Sequence, residues 1–287
     1  MWMNKKRLLA FDFEVLSKLK LEETGHSYWA VVIIDIESNK GKIIKNDVEE
    51  LKRFYNATKN DIYISYNGRN YDLYILKGLL LGMDAGYIND QLIVHKKKGY
   101  QIVRDAYKIP LNHFDCSTGF HGLKQLEGFM GSEIKESDVP FDIDRPLTQE
   151  EENELLRYCI HDVRETIKVF KSRMVEYEAQ LSIIEAFDLD MKYFNKTKAQ
   201  LAATVMGAEK YPPQNDEFDL RFPDTLVLDK YSHIIDWYND DENKNYKSKL
   251  KFNTKDCEVI LGYGGAHGAI PNFHKEGIIL CGDVALT

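Results

Sequence analysis

Three short acidic patterns are the residues of this sequence best suited to chemistry. The first is Asp12-Phe13-Glu14, inside the apolar run 8–15. In a strand, alternate residues share a face, so Asp12 and Glu14 point together and their apolar neighbours point to the other side. Two adjacent carboxylates are unfavourable in a folded chain unless the pair is exposed, shares a proton or binds cations. The pattern predicts either a cation site or a strand end that reaches solvent.

The second pattern is the segment 66–72, with the sequence Tyr-Asn-Gly-Arg-Asn-Tyr-Asp. A strand is expected over 61–66, and Asn67-Gly68 predicts a turn before a helix from about Tyr71 to Gly82. Taken alone, Asp72 is most simply a favourable acidic residue in the first turn of that helix.

The third pattern is Tyr158-Cys159-Ile160-His161-Asp162. It lies in the longest predicted helix, which begins with a capping box at 148–151 and extends to about residue 187, with a possible break. An apolar stripe predicts the buried face of this helix: Leu156, Cys159, Val163, Ile167 and Phe170. Residues four apart are helix neighbours, so Tyr158 and Asp162 project together. Alone, this pair also fits an ordinary helix edge with one hydrogen bond.

The elements that must position these patterns alternate between strands and helices, which predicts an α/β fold. Strands are expected at 8–15, 28–36, 42–45, 61–66, 100–104 and 111–116, and shorter helices at 47–58, 71–82 and 123–130. The character of the chain changes after about residue 187. We therefore expect one domain over 1–187 and a second region over 188–287.

The three patterns together resemble a known family. Their order is similar to exonuclease motifs I, II and III of the DEDD superfamily, in its tyrosine-containing branch. The histidine branch has His five residues before the last Asp, where this chain has Arg157, so we interpret His161 as a flanking residue. The second motif is most similar to that of family B DNA polymerases, Tyr-Asn-x-x-Asn-Phe-Asp, from which only Tyr71 departs.

The resemblance implies a ribonuclease-H-like fold, a mixed sheet flanked by helices. It also implies a proofreading 3′→5′ exonuclease acting on the single-stranded 3′ end of DNA. Its catalytic and metal-binding carboxylates would be Asp12, Glu14, Asp72 and Asp162, holding two Mg²⁺ or Mn²⁺ ions, which prefer carboxylate oxygens. Tyr158 would orient the attacking water. Asn67 and Asn70 resemble the motif positions that contact the DNA strand.

The last part of the chain extends the resemblance to the polymerase region of family B enzymes. Tyr263-Gly264-Gly265 resembles a motif that touches the template strand, although the same residues fit a tight turn between two strands. Asp283 resembles the metal-binding Asp that begins a polymerase motif. Because the chain stops at Thr287, we expect an incomplete α+β polymerase segment and exonuclease activity without polymerase activity.

Composition narrows the class of protein. The 287 residues carry a formal charge of −8, with 44% hydrophobic and 12% aromatic residues, which excludes a disordered chain. Eleven acidic and four basic residues between Glu133 and Glu165 account for −7 of that charge. No apolar run is long enough to span a membrane, and the four cysteines form no Cys-x-x-Cys pair, so we expect no zinc site and a cytoplasmic location.

The same residues are also compatible with two other functions. One is a non-catalytic, truncated replication protein that binds primer-template DNA. The other is a standalone nuclease that trims RNA.

Overall fold

The chain forms two compact units, Met1–Ala208 and Glu209–Thr287. The computed structural model describes residues 6–117, 119–209, 218–255 and 257–269. The division falls after Ala208, later than the expected position after residue 187. The reason is that Phe194 and Leu201 are buried in a hydrophobic cluster of the first unit.

The first unit is built on a five-stranded mixed sheet with the order β3-β2-β1-β4-β5. Its strands are β1 (Leu8–Lys20), β2 (Ser27–Asp35), β3 (Gly41–Lys45), β4 (Ile62–Ser65) and β5 (Asn112–Asp115). The pairs β1–β2 and β2–β3 are antiparallel, whereas β1–β4 and β4–β5 are parallel. The predicted mixed α/β architecture is confirmed, and the narrower ribonuclease-H-like assignment stays a prediction.

Eight helices of the first unit lie in the described part of the chain. They are α1 (Val48–Thr58), α2 (Asp72–Leu80), α3 (Ala85–Ile93), α4 (Gly99–Ile102), α5 (Leu123–Phe129), α6 (Gln149–Ser172), α7 (Met174–Ala186) and α8 (Lys198–Val205). The predicted capping box is present, because the Glu151 amide donates to Thr148 Oγ1 and the Thr148 amide donates to Glu151 Oε2. The predicted break of the long helix lies at Arg173, between α6 and α7.

The two faces of the sheet carry separate hydrophobic clusters. Leu9, Phe11 and Phe13 of β1 pack into the cluster that includes α2 and α3, while Ala10 belongs to the cluster that includes α6. The predicted alternation along β1 is therefore confirmed. It leaves Ala10, Asp12 and Glu14 on the face of the sheet that α6 covers.

Two details of the sequence prediction were wrong. Residues 100–104 form no strand but belong to α4 and a 3₁₀ turn at Arg104–Lys108. The Lys98 amide is capped by Gln101 Oε1, and the buried Gly99 lies against the Tyr74 ring, which stabilises a helical turn here. On α6, the buried residues include Leu155, Thr166 and Val169, and Leu156 and Ile167 are only half-buried.

The second unit contains a short helix and a three-stranded antiparallel sheet within its described residues. These are α9 (His233–Asn239), β6 (Leu250–Asn253), β7 (Glu258–Gly262) and β8 (Gly265–Ala269), with the sheet order β6-β7-β8. Among the residues that the structure describes in either unit, no helix has the length and apolar character needed to cross a bilayer.

Candidate active site

The first acidic pattern lies on β1, on the face that α6 covers. Glu14 is only 6% exposed and Asp12 is half-buried. The thiol of Cys159 on α6 lies 3.5 Å from the Asp12 carbonyl oxygen and 3.8 Å from Asp12 Oδ2. One ligand atom from each of Asp12, Glu14 and Cys159 lies within 4.8 Å of the others. The pattern is therefore not a strand end in solvent.

The second acidic pattern is joined directly to the first. Asp72, the first residue of α2, is 3% exposed, and its Oδ1 accepts a hydrogen bond of 3.1 Å from the Phe13 amide. A bond across 59 residues of sequence thus holds this carboxylate beside Asp12 and Glu14. Its role goes beyond that of an acidic residue at a helix start.

The turn that precedes Asp72 is held by a carboxylate from the neighbouring strand. Asp115 at the end of β5 accepts hydrogen bonds of 2.9 Å from the amides of Asn67 and Arg69. Asn67 has a φ of 60°, and the Asn70 side chain donates to Asn67 Oδ1 at 2.7 Å. Both asparagines are exposed. Asp115 therefore positions the turn.

The third pattern brings a lysine as well as a carboxylate to the site. Asp162 on α6 is buried and lies close to the Tyr158 hydroxyl, whose pKa its charge raises. Lys124 Nζ on α5 lies 2.6 Å from Asp162 Oδ1 and 4.7 Å from the centre of the Tyr158 ring. No local sequence pattern marks Lys124, because its partner Asp162 lies 38 residues away.

Burial and like charges set the electrostatics of the site. Burial, then the charges of neighbouring carboxylates, raise the pKa of Asp12 and of Glu14 well above their usual range. Burial raises the pKa of Asp72 to about 7, against the opposing hydrogen bond from Phe13. Burial also raises the pKa of Asp162, against the opposing effect of Lys124. A converging set of carboxylates that repel one another favours bound cations.

The donor set fits a hard divalent ion. Asp12, Glu14, Asp72 and Asp162 offer carboxylate oxygens, the ligand type that Mg²⁺ and Mn²⁺ prefer. Lys124 counters part of their charge. Burial lowers the pKa of its ammonium, but the hydrogen bond to Asp162 raises that pKa further, so it stays above its ordinary value.

Tyr158 is a neutral hydrogen-bonding group at neutral pH. Burial, followed by the charges of Asp162 and Glu14, raises the pKa of its phenol above the ordinary value. A phenol with so high a pKa is a poor base, so its useful property is the fixed position of its hydroxyl group.

An open cleft of about 910 Å³ gives access to part of this site. Asp12 and Asp162 line it together with Asn67 and Asn70. The cleft therefore places two of the four carboxylates and both candidate DNA-binding asparagines along one surface. Phe120, which is 89% exposed, lines the same cleft.

The candidate residues of the second unit lie at a hairpin. Tyr263 and Gly264 connect β7 to β8, and Gly265 has a φ of 133°, which favours glycine. The Tyr263 hydroxyl donates to the Tyr238 carbonyl oxygen at 3.0 Å, and its ring packs edge-on against Phe218. The tight-turn interpretation is confirmed, and contact with DNA stays a prediction. Asp283 lies outside the described residues.

Comparisons with known proteins give weak similarities only. No protein-family model matches the sequence, and no curated protein matches it. Among solved structures, the chain is similar to Phi29 DNA polymerase complexed with primer-template DNA and incoming nucleotide substrates, at 12% identity and a TM-score of 0.39. It is also similar to Phi29 DNA polymerase complexed with single-stranded DNA, at 13% identity and a TM-score of 0.38. Each match covers 87% of this chain and 41% of the polymerase chain. This chain thus spans less than half the length of those polymerases.

Proposed function

We propose that the first unit is a metal-dependent 3′→5′ exonuclease that hydrolyses single-stranded DNA ends. The observation that supports it is the convergence of Asp12, Glu14, Asp72 and Asp162, from three separate motifs, into one buried acidic site. That site opens on a cleft that also carries Asn67 and Asn70. The motif resemblance favours DNA as the substrate and proofreading as the role.

Each residue has a distinct task in this proposal. The four carboxylates would hold two Mg²⁺ or Mn²⁺ ions, which when bound supply an activated water and stabilise the charge on the phosphate oxygens. The Tyr158 hydroxyl orients the attacking water, since its ring is held beside Lys124 and its hydroxyl lies close to Asp162. Asn67 and Asn70 contact the strand at the cleft. In the second unit, Tyr263, Gly264 and Gly265 touch template DNA, and Asp283 belongs to the polymerase region.

Hydrolysis of labelled oligonucleotides tests this function. The full chain with Mg²⁺ should release mononucleotides from the 3′ end of single-stranded DNA, and a blocked 3′ end should prevent release. Asp12→Ala/Glu14→Ala should abolish the activity. A matched control is Asp142→Ala/Asp144→Ala, which has the same spacing of acidic residues at exposed positions and should keep it. Undiminished activity in the first variant would refute the site.

An RNA oligonucleotide cleaved faster than DNA would support the RNA-trimming alternative instead.

A metal titration separates the exonuclease from a non-catalytic DNA-binding protein. If the carboxylates bind divalent ions, Mg²⁺ or Mn²⁺ should raise the melting temperature of the chain, because a ligand that binds only the folded state stabilises it. The rise should disappear in Asp12→Ala/Glu14→Ala and persist in Asp142→Ala/Asp144→Ala. A melting temperature that neither ion changes would favour the non-catalytic protein.

A further inference from the structure

A second group of potential metal ligands lies next to the proposed active site. One ligand atom from each of Glu127, His161 and Asp162 lies within 4.8 Å of the others. Glu127 comes from α5, and the other two are consecutive residues of α6. The exonuclease proposal gives no task to Glu127 or His161, and the sequence analysis interpreted His161 as a flanking residue.

Glu127 is the unusual member of this group. Its side chain is 0% exposed, and its Oε2 lies 3.4 Å from His161 Nε2. A buried carboxylate is costly to the folded state unless a positive group compensates its charge, and here the ammonium group of Lys124 does so. Lys124 Nζ lies 3.2 Å from Glu127 Oε1 and 2.6 Å from Asp162 Oδ1, so it sits between two of the three potential ligands.

The spacing of the ligand atoms suits a small transition-metal ion. His161 Nε2 lies 3.4 Å from Glu127 Oε2. Around a tetrahedral Zn²⁺ with bonds of about 2.1 Å, neighbouring ligand atoms are about 3.4 Å apart. Two of the three ligand atoms therefore already have the separation that zinc requires, and the third, from Asp162, lies within 4.8 Å of both.

We propose that Glu127, His161 and Asp162 form a second metal site, selective for Zn²⁺ and similar transition-metal ions. Selectivity follows from the imidazole nitrogen, which suits zinc, whereas Mg²⁺ prefers an all-oxygen set. The incoming ion replaces the ammonium group of Lys124. That side chain is 27% exposed, so it already reaches solvent.

The site has a regulatory consequence that rests on the proposed function. Asp162 belongs to both sites, so an ion bound to Glu127 and His161 draws this carboxylate away from the catalytic group. Zn²⁺ therefore inhibits Mg²⁺-dependent hydrolysis without competing for Asp12 or Glu14.

Calorimetric titration with Zn²⁺ in excess Mg²⁺ tests the site directly. The full chain carrying Asp12→Ala/Glu14→Ala is used, because Asp12, Glu14 and Cys159 form another candidate cluster. We expect one Zn²⁺ per chain, and His161→Gln added to this background should weaken the affinity at least tenfold. His121→Gln is the matched control, since His121 is exposed and lies outside the cluster, and should leave the affinity unchanged. No binding, or binding that His161→Gln does not weaken, overturns the proposal.

A variant that should bind Zn²⁺ more tightly distinguishes a specific effect on the site from loss of binding through misfolding. Lys124→Met in the same background removes the competing ammonium and should tighten Zn²⁺ binding several-fold, a result that a damaged fold does not mimic. If the Zn²⁺ affinity of Lys124→Met stays the same or falls, Zn²⁺ does not replace the ammonium group of Lys124 as proposed.

The activity readout separates this inference from the exonuclease itself. Zn²⁺ should inhibit hydrolysis by the unmutated chain, and His161→Gln should reduce that inhibition at least tenfold. If the chain hydrolyses no DNA but binds Zn²⁺ through His161, the exonuclease proposal fails and the metal site stands. If it hydrolyses DNA and Zn²⁺ inhibits the His161→Gln variant equally, the metal site fails alone.

Discussion

Asp72 lies at the start of α2 with 3% of its surface exposed, and its Oδ1 accepts the Phe13 amide. A carboxylate at a helix start is normally solvated and fully ionised at neutral pH. Here burial raises the pKa to about 7, so the charged form is disfavoured by the fold until a cation arrives. The same side chain therefore costs stability in the metal-free protein and becomes useful once metal binds.

This pKa predicts how the stability of the metal-free protein depends on pH. The carboxyl has a pKa of about 3.9 in the unfolded chain and about 7 when folded, so the folded state binds more protons between these values. Stability should fall as pH rises from about 4 to about 7, by on the order of a few kcal/mol, and then level off. Asp72→Asn keeps the acceptor oxygen and removes the charge.

Urea unfolding at pH 5 and pH 8, in the presence of a chelator, measures this effect. Between these pH values the unmutated protein should lose more stability than Asp72→Asn. Asp142→Asn, at an exposed position, should behave like the unmutated protein. Equal losses in the unmutated protein and Asp72→Asn would show that the Asp72 carboxyl is not perturbed.

Tyr158→Phe tests whether the tyrosine hydroxyl acts on the water. The ring and its contact with Lys124 remain, but the hydroxyl beside Asp162 is lost. We expect kcat for mononucleotide release to fall roughly tenfold to a hundredfold, below the usual range for a general acid or base. KM should change little.

Tyr55→Phe, which removes a hydroxyl bonded to the Pro110 carbonyl oxygen, is the control and should keep full kcat. A full kcat in Tyr158→Phe would remove this residue from the mechanism.

At the scale of elements, the turn between β4 and α2 depends on the end of β5. The Asp115 carboxylate accepts the amides of Asn67, Arg69 and Ser117, each at 2.9 Å. Asp115→Ala leaves these donors without that partner and should destabilise the protein by about 2–3 kcal/mol, whereas Asp115→Asn keeps one acceptor and should cost less. Urea unfolding measures the cost.

Hydrogen exchange locates the effect of this change. The amides of Asn67 and Arg69 should exchange faster in Asp115→Ala, and affinity for a single-stranded oligonucleotide should fall with them. Protection that persists at both amides would mean that the turn holds its shape without Asp115.

Local patterns predicted most of the elements that carry the site. The alternation of β1, the turn at Asn67-Gly68 and the capping box at Thr148 each depend on neighbouring residues, and each is confirmed. The contact of Lys124 with Asp162 depends on how α5 packs against α6, so no short pattern contains it. The strand expected at 100–104 was wrong: Gly99, at the start of α4, packs closely against the Tyr74 ring, a tertiary contact that no short pattern contains.

At the scale of the whole molecule, the negative charge has a specific location. The segment from Glu133 to Glu165 holds −7 of the total −8. Part of it, Glu150, Glu151 and Glu152, lies in the first turn of α6, where acidic side chains interact favourably with the helix dipole. Glu151 is further paired with Arg145 at 2.6 Å. The net charge of −8 therefore comes almost entirely from one segment around the start of α6, and it is compatible with a cleft that binds DNA.

The first unit extends to Ala208, and fragments of different length test this extent. Phe194 and Leu201 are 0% and 2% exposed in its second hydrophobic cluster. Asn195 bonds β5 and the residue before it, since its Oδ1 accepts the His113 amide and its Nδ2 donates to the Leu111 carbonyl oxygen, both at 2.6 Å. A fragment of residues 1–208 should therefore unfold cooperatively in urea. A fragment of residues 1–187 lacks these groups and should be less stable by at least about 5 kcal/mol, since losing a buried Phe alone costs 3–5 kcal/mol.

Within 1–208, Phe194→Ala should reproduce most of the loss, while Phe187→Ala, at a position 55% exposed, should not. Equal stability of the two fragments would place the end of the unit at residue 187, because the segment 188–208 would then contribute nothing to its core.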